Sequence, residues 1–136
     1  MIAKLLISLS VIVGGFVPPT PVYEHIRIIP PVTAKCPQWW DNAVEAGWKR
    51  KELATLDFVM WRESRCDASA FNPDDPNSGS RGLVQINGFW TPWLRSKGVL
   101  KRSEGLFNPD VALRSALEIF KYGEERYGHG WGPWNL

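Results

Sequence analysis

Apolar positions at helical spacing mark the stretch on which the rest of the chain depends. Leu53, Leu56, Met60 and Glu63 recur at intervals of three and four, the period of one helix face. The spacing predicts an amphipathic helix ending at Glu63, so that its last face member is a carboxylate. At 100° per residue, Glu63 points within about 60° of Leu56, Val59 and Met60. A carboxyl placed there is partly desolvated, which favours its neutral form, and a proton retained near neutral pH is what a general acid needs. The competing reading is a helix-end Glu that swings out to solvent.

The same pattern places other elements around this helix. Pro37 to Ala46 reads as a helix, with Pro37 at its first position, Gly47 as its stop, and Trp39, Trp40, Ala43 and Val44 on its apolar side. Lys49-Arg50-Lys51 is a solvated basic turn. From Asp67 to Arg81 the composition is that of a loop, and Asn72 to Gly79 are nearly all turn formers. Leu83, Val84 and Ile86 suit a short strand. Thr91-Pro92 marks the cap and first turn of a short helix that Gly98 ends. Asn108-Pro109 repeats that signal more strongly, and Leu113, Ala116, Leu117 and Phe120 carry helical spacing to about Tyr127, where Gly128 stops it. A chain of 136 residues built this way is one mainly α domain, α+β with a small β element.

The chain ends and the cysteines change that picture. Met1 to Val17 reads as an export signal: Lys4 supplies the positive start, and Leu5 to Phe16 is an apolar run. The alternative is a short uncleaved anchor, which the length of the run disfavours. Residues 18–35, with Pro18, Pro19, Pro21, Pro30 and Pro31, suit an extended, semi-rigid tether. Two cysteines behind an export signal, Cys36 and Cys66, imply a disulfide. It would tie the first helix to the chain just past Glu63. The expected location is therefore outside the cytoplasm, in the envelope, the periplasm or beyond the cell, with membrane contact only through the N-terminal segment.

The order Glu63-Ser64, a polar loop, then Gly82-Leu83-Val84-Gln85-Ile86-Asn87 resembles the lysozyme-like glycosidase superfamily. It looks like the "E-S … G-L-M-Q-I" signature of bacterial lytic transglycosylases and is similar to the "E-S … G-I-L-Q-I-N" signature of chicken-type lysozymes. The separation of Glu63 from Gln85 matches the longer lysozyme loop better. The resemblance covers roughly Cys36 to the C-terminus, so residues 36–136 would be a lysozyme-like catalytic domain with a small β-hairpin beside its cleft. It implies that Glu63 is the catalytic acid, that Gln85 and Asn87 lie beside the cleft, and that Trp90 borders the sugar groove. The family's usual Asn near the start of the second major helix is Ala112 here. The family's tail Tyr has a possible substitute in Trp131.

One departure bears on mechanism. Chicken-type lysozymes carry a catalytic Asp two residues before the Gly of the second motif, and here that position is Ser80. The second carboxylate of an ordinary glycosidase pair is absent from its usual place. Asp74 or Asp75 would have to supply it; otherwise one Glu acts first as acid and then as base, as in lytic transglycosylases. The expected activity is cleavage of the β-1,4 bond between N-acetylmuramic acid and N-acetylglucosamine in peptidoglycan, with transglycosylation favoured over hydrolysis. A glycan-binding or structural module that has lost turnover is the alternative. Ser64, Ser80, Gln85, Asn87, Trp90 and Trp131 are the candidate substrate contacts. Ser64 could instead cap or hydrogen-bond the helix end.

The eight Trp divide between core and groove. Trp39, Trp48 and Trp61 read as core; Trp90, Trp93, Trp131 and Trp134 are the candidate platform for sugar rings, with Trp90 read as groove while Trp131 and Trp134 fit either. Other chemistry is set aside. No Cys/His cluster has zinc spacing, Gly82 does not open a phosphate loop, and Ser64 has no nearby His to activate it. The net charge of +2 does not reach the basic stripe of a nucleic-acid binder. No cofactor or metal is expected, and the protein is expected to be a monomer whose partner is the peptidoglycan glycan strand.

Overall fold

The structure is a computed structural model describing residues 14–19 and 27–136. The expected export signal lies outside the described residues except for its last positions, 14–17. Among the described residues, no helix is long and apolar enough to cross a membrane.

Four helices and a three-stranded antiparallel sheet make up the domain. Helix α1 is Trp40–Glu45, entered through a 3₁₀ turn, Pro37–Trp39. The single helix expected from Pro37 is thus split, because its first turn closes by a tight bond from Trp39 N to the carbonyl of Cys36. Helix α2 is Leu53–Ser64 and buries Leu53, Leu56, Asp57, Val59 and Met60. It stops at Arg65, whose backbone is left-handed at φ 55°.

Strands β1 (Phe71–Asn72), β2 (Ser80–Arg81) and β3 (Ile86–Asn87) pair in that order, with Asn72 opposite Ser80 and Ser80 opposite Asn87. The expected hairpin gains a third strand. Leu83 and Val84 belong to the turn before β3, where both are fully buried. Gly82 can only be glycine: its φ is +82°, and a Cβ there would sit 2.3 Å from the Leu106 carbonyl oxygen.

Helix α3 is Thr91–Ser96. Thr91 is inside this helix rather than capping it, and its buried hydroxyl bonds the hydroxyl of Ser103. The cap is Asn87, which accepts from Phe89 N and starts the 3₁₀ turn Gly88–Trp90 that leads into α3. Helix α4, Pro109–Tyr127, has the limits expected. Asn108 accepts from the amides of Asp110 and Val111, and Gly128 closes the helix at φ 78°.

One core joins these elements. Leu56, Val59 and Met60 of α2 share one buried cluster with Leu113, Ala116, Ile119 and Phe120 of α4 and with Leu83, Val84, Ile86, Leu94 and Leu106. The N-terminal edge is held by Asp57, buried on α2. Its carboxylate accepts from Cys36 N at 2.8 Å, Lys35 N at 2.8 Å and the Trp40 indole N–H at 2.9 Å. Contact with the domain reaches back into the Pro-rich stretch. Ile28 and Ala34 pack on the core, and Ile28 N bonds the Asp41 carboxylate.

Cys36 and Cys66 form the disulfide, with Cα atoms 5.4 Å apart. It spans 30 residues, so the chain-entropy relation gives it about 3–4 kcal/mol. Reduction and alkylation are expected to lower the unfolding free energy by that amount in a urea titration. An unchanged midpoint would show that the bridge contributes no stability.

Candidate active site

The end of α2, the turn before β3 and the C-terminal tail converge on one cleft. Glu63, Gln85, Ile86, Asn87, Trp90, Ile119, Pro133, Trp134 and Asn135 line a hollow of about 160 Å³. Four expected site residues, Glu63, Gln85, Asn87 and Trp90, are therefore brought together across widely separated positions. Ile86, Ile119, Pro133 and Asn135 were not expected there. Trp134 was an open case, and its ring is buried in this wall with its N–H donated to the Val84 carbonyl.

Local geometry explains how each side chain is held. Ser64 Oγ lies 2.9 Å from the Met60 carbonyl and 2.7 Å from that of Leu83. It is a hydrogen-bonded link between the end of α2 and the turn, and it does not line the hollow. Gln85 has a left-handed backbone, φ 49°, uncommon for a non-glycine residue. Its side-chain amide donates to the carbonyls of Ala70 and Gly82, which pins the turn. Asn87 donates to the Pro76 carbonyl at 2.7 Å and accepts from Asn77. The loop between β1 and β2 is thereby fastened to the cleft edge.

Ser80 does not reach the cleft. It is buried, and its hydroxyl accepts from Asn87 Nδ2 at 3.2 Å. Asp74 and Asp75 lie in the turn between β1 and β2 and do not line the hollow. Trp131 turns the other way. It stacks on Trp48 with ring centroids 5.5 Å apart, meets Phe120 edge-on, and donates its N–H to Glu52. It anchors the tail to the core. Of the Trp expected in the core, Trp48 is buried, and Trp39 is half-buried with its N–H on the Cys66 carbonyl. Trp61 is also half-buried, with the Arg65 guanidinium 4.0 Å from its ring centre.

Among the described residues, Glu63 is the only carboxylate lining the hollow. About a quarter of its side chain (27%) is exposed, and the neighbouring Arg62 donates both Nε and Nη2 to its Oε1, at 3.0 and 2.7 Å. No hydrogen bond to Oε2 is formed among the described residues. Just past the helix end, Asp67 is held below the usual carboxylate range, first by the Ser69 hydroxyl and then by the Ser69 amide. A second hollow of about 340 Å³ opens beside the first and shares Trp90 and Pro133 with it. Tyr122, Tyr127, His129 and Gly132 complete its walls, so the cleft continues over aromatic rings of the kind on which sugar faces stack. Tyr122 and Tyr127 were missed because they sit near the end of α4, where their spacing reads as ordinary helix surface.

The family model of the lysozyme-like domain matches residues 40–135. The chain belongs to this family. Comparison with curated proteins and with solved structures finds no match to either. The lysozyme-like domain implies an activity of the peptidoglycan glycosidase or transglycosylase type, with peptidoglycan as the substrate. Among the described residues of this lysozyme-like domain, no group of three or more His, Cys, Asp and Glu could hold a metal ion. Its disulfide accords with an oxidising compartment.

Proposed function

We propose that the domain cuts the bond between N-acetylmuramic acid and N-acetylglucosamine as a lytic transglycosylase. The observation that carries this reading is the single carboxylate of the cleft, Glu63. In the proposed reaction Glu63 gives its proton to the glycosidic oxygen and the bond from that oxygen to the muramic-acid C1 breaks. The 6-hydroxyl of the same sugar then attacks C1 and returns its proton to Glu63, which leaves a 1,6-anhydro end. Hydrolysis with retention or inversion needs a second carboxylate to attack the sugar or to activate water. Neither Ser80 nor the loop acids Asp74 and Asp75 line the cleft. Gln85, Asn87 and Trp90 are the substrate contacts in this reading, and the aromatic hollow extends the glycan track.

Digestion of purified sacculi in water labelled with heavy oxygen tests the mechanism. The new muramic-acid ends are expected to carry no label, and Asp74→Asn and Asp75→Asn, singly and together, are expected to retain most activity. Labelled reducing ends with a large loss in either variant would instead identify a lysozyme that uses a relocated acid. If no bond is cleaved while glycan is still retained, the domain is a binding module.

A further inference from the structure

We propose that Arg62 is a positioning residue that determines which oxygen of Glu63 carries the transferred proton. The inference rests on the reading of Glu63 as the acid. A free glutamic acid rotates about its last side-chain bond, and its two oxygens are interchangeable. In this cleft they are not. Both Nε and Nη2 of Arg62 point at Oε1, and a guanidinium has donors only, with no acceptor. A proton on Oε1 would face two N–H groups and find no partner. A proton on Oε2 leaves Oε1 free to accept both bonds. The neutral acid therefore carries its proton on Oε2, the oxygen that has no hydrogen-bond partner among the described residues.

The guanidinium is itself anchored. Its Nη2 also donates to the backbone carbonyl of Trp134. The Trp134 ring is buried in the cleft wall, with its N–H on the Val84 carbonyl. The Arg62 guanidinium carbon lies 5.7 Å from the centre of the Phe58 ring. The carboxyl of α2 is thus oriented relative to the tail, whose Pro133, Trp134 and Asn135 also line the hollow. Adjacent residues on a helix do not face each other, so this contact is not a by-product of helix geometry. Side-chain exposures of 32% for Arg62 and 27% for Glu63 leave the pair half-buried. Once the proton has left Oε2 for the glycosidic oxygen, the carboxylate charge meets two charge-assisted hydrogen bonds. The same group is then held ready to receive the proton of the 6-hydroxyl.

The test compares wild type with Arg62→Lys and Arg62→Ala on soluble glycan strands, with kcat and KM measured separately. Lysine keeps the charge but not the planar fork. It is expected to lower kcat about 10-fold, and alanine about 100-fold, the loss typical of a misplaced reacting group, while KM stays within about 2-fold. Millimolar methylguanidine is expected to restore part of the Arg62→Ala rate and leave wild type unchanged. Three results would overturn the proposal: a wild-type kcat in Arg62→Lys, a loss confined to KM, or a loss in a folded Arg62→Ala that methylguanidine does not relieve. If Arg62→Ala does not fold, the kcat of Arg62→Lys decides alone. A wild type that fails to cleave any strand refutes the glycosidase reading, and this inference falls with it.

Discussion

Glu63→Gln is expected to lower turnover of purified sacculi at least about 100-fold, the lower range for loss of a positioned acid, while the domain stays folded. Glutamine keeps the shape of the side chain and can still present an oxygen to the two N–H groups of Arg62. The cleft should therefore remain assembled and should still bind glycan. What is lost is the transferable proton. The helix itself does not depend on this carboxyl, since the face of α2 that packs the core is Leu53, Leu56, Val59 and Met60. Circular dichroism and thermal unfolding would establish the fold, and release of muropeptides would give the rate. A folded variant that still clears sacculi at near the wild-type rate would remove Glu63 from the chemistry. With no other carboxylate lining the cleft among the described residues, the assignment as a glycosidase would go with it.

The largest stability effect is expected at Asp57. Its carboxylate satisfies three donors from the N-terminal segment and α1: Lys35 N, Cys36 N and the Trp40 indole. Alanine would leave them without an acceptor at a buried site, and each such group costs about 1–3 kcal/mol. Asp57→Ala is expected to destabilise the domain by about 4 kcal/mol. Asp57→Asn is the informative control. It can keep the oxygen shared by Cys36 and Trp40, but it turns an amide N–H₂ toward the Lys35 amide, so about half the loss is expected. Urea titrations with the disulfide intact would measure both. A loss below about 1 kcal/mol in the alanine variant would mean that water replaces the carboxylate and that the segment before α1 is not held through it.

The long elements were legible in the sequence because their signals act within a few residues. Asn108, Pro109 and Gly128 bracket α4 through a side-chain cap, a fixed φ and a left-handed stop. The apolar spacing of α2 survives because a helix presents every third or fourth residue to one side. The cysteine pair was readable from count and context, and the cleft members Glu63, Gln85, Asn87 and Trp90 from the order of a two-part motif. Strands of two residues carry no period to read, and only their partners fix the register Asn72–Ser80–Asn87.

Folding alone decided which polar groups matter. Asp57 looks like any acid on a helix until three donors from other elements converge on it. Arg62 follows Trp61 as one more cation until α2 stops at Arg65 and the tail brings the Trp134 carbonyl against it. Trp131 and Trp134 sit three residues apart in one Gly- and Pro-rich tail, yet one packs on Trp48 and Phe120 while the other walls the cleft. Asp74 and Asp75 were the candidates for a second acid, and the path of their loop leaves both outside the lining of the hollow. Caps, stops and helical faces depend on neighbours in sequence, so composition and spacing determine them. Carboxylate partners, ring environments and cleft membership depend on groups far apart in the chain, and these come together only when the core closes.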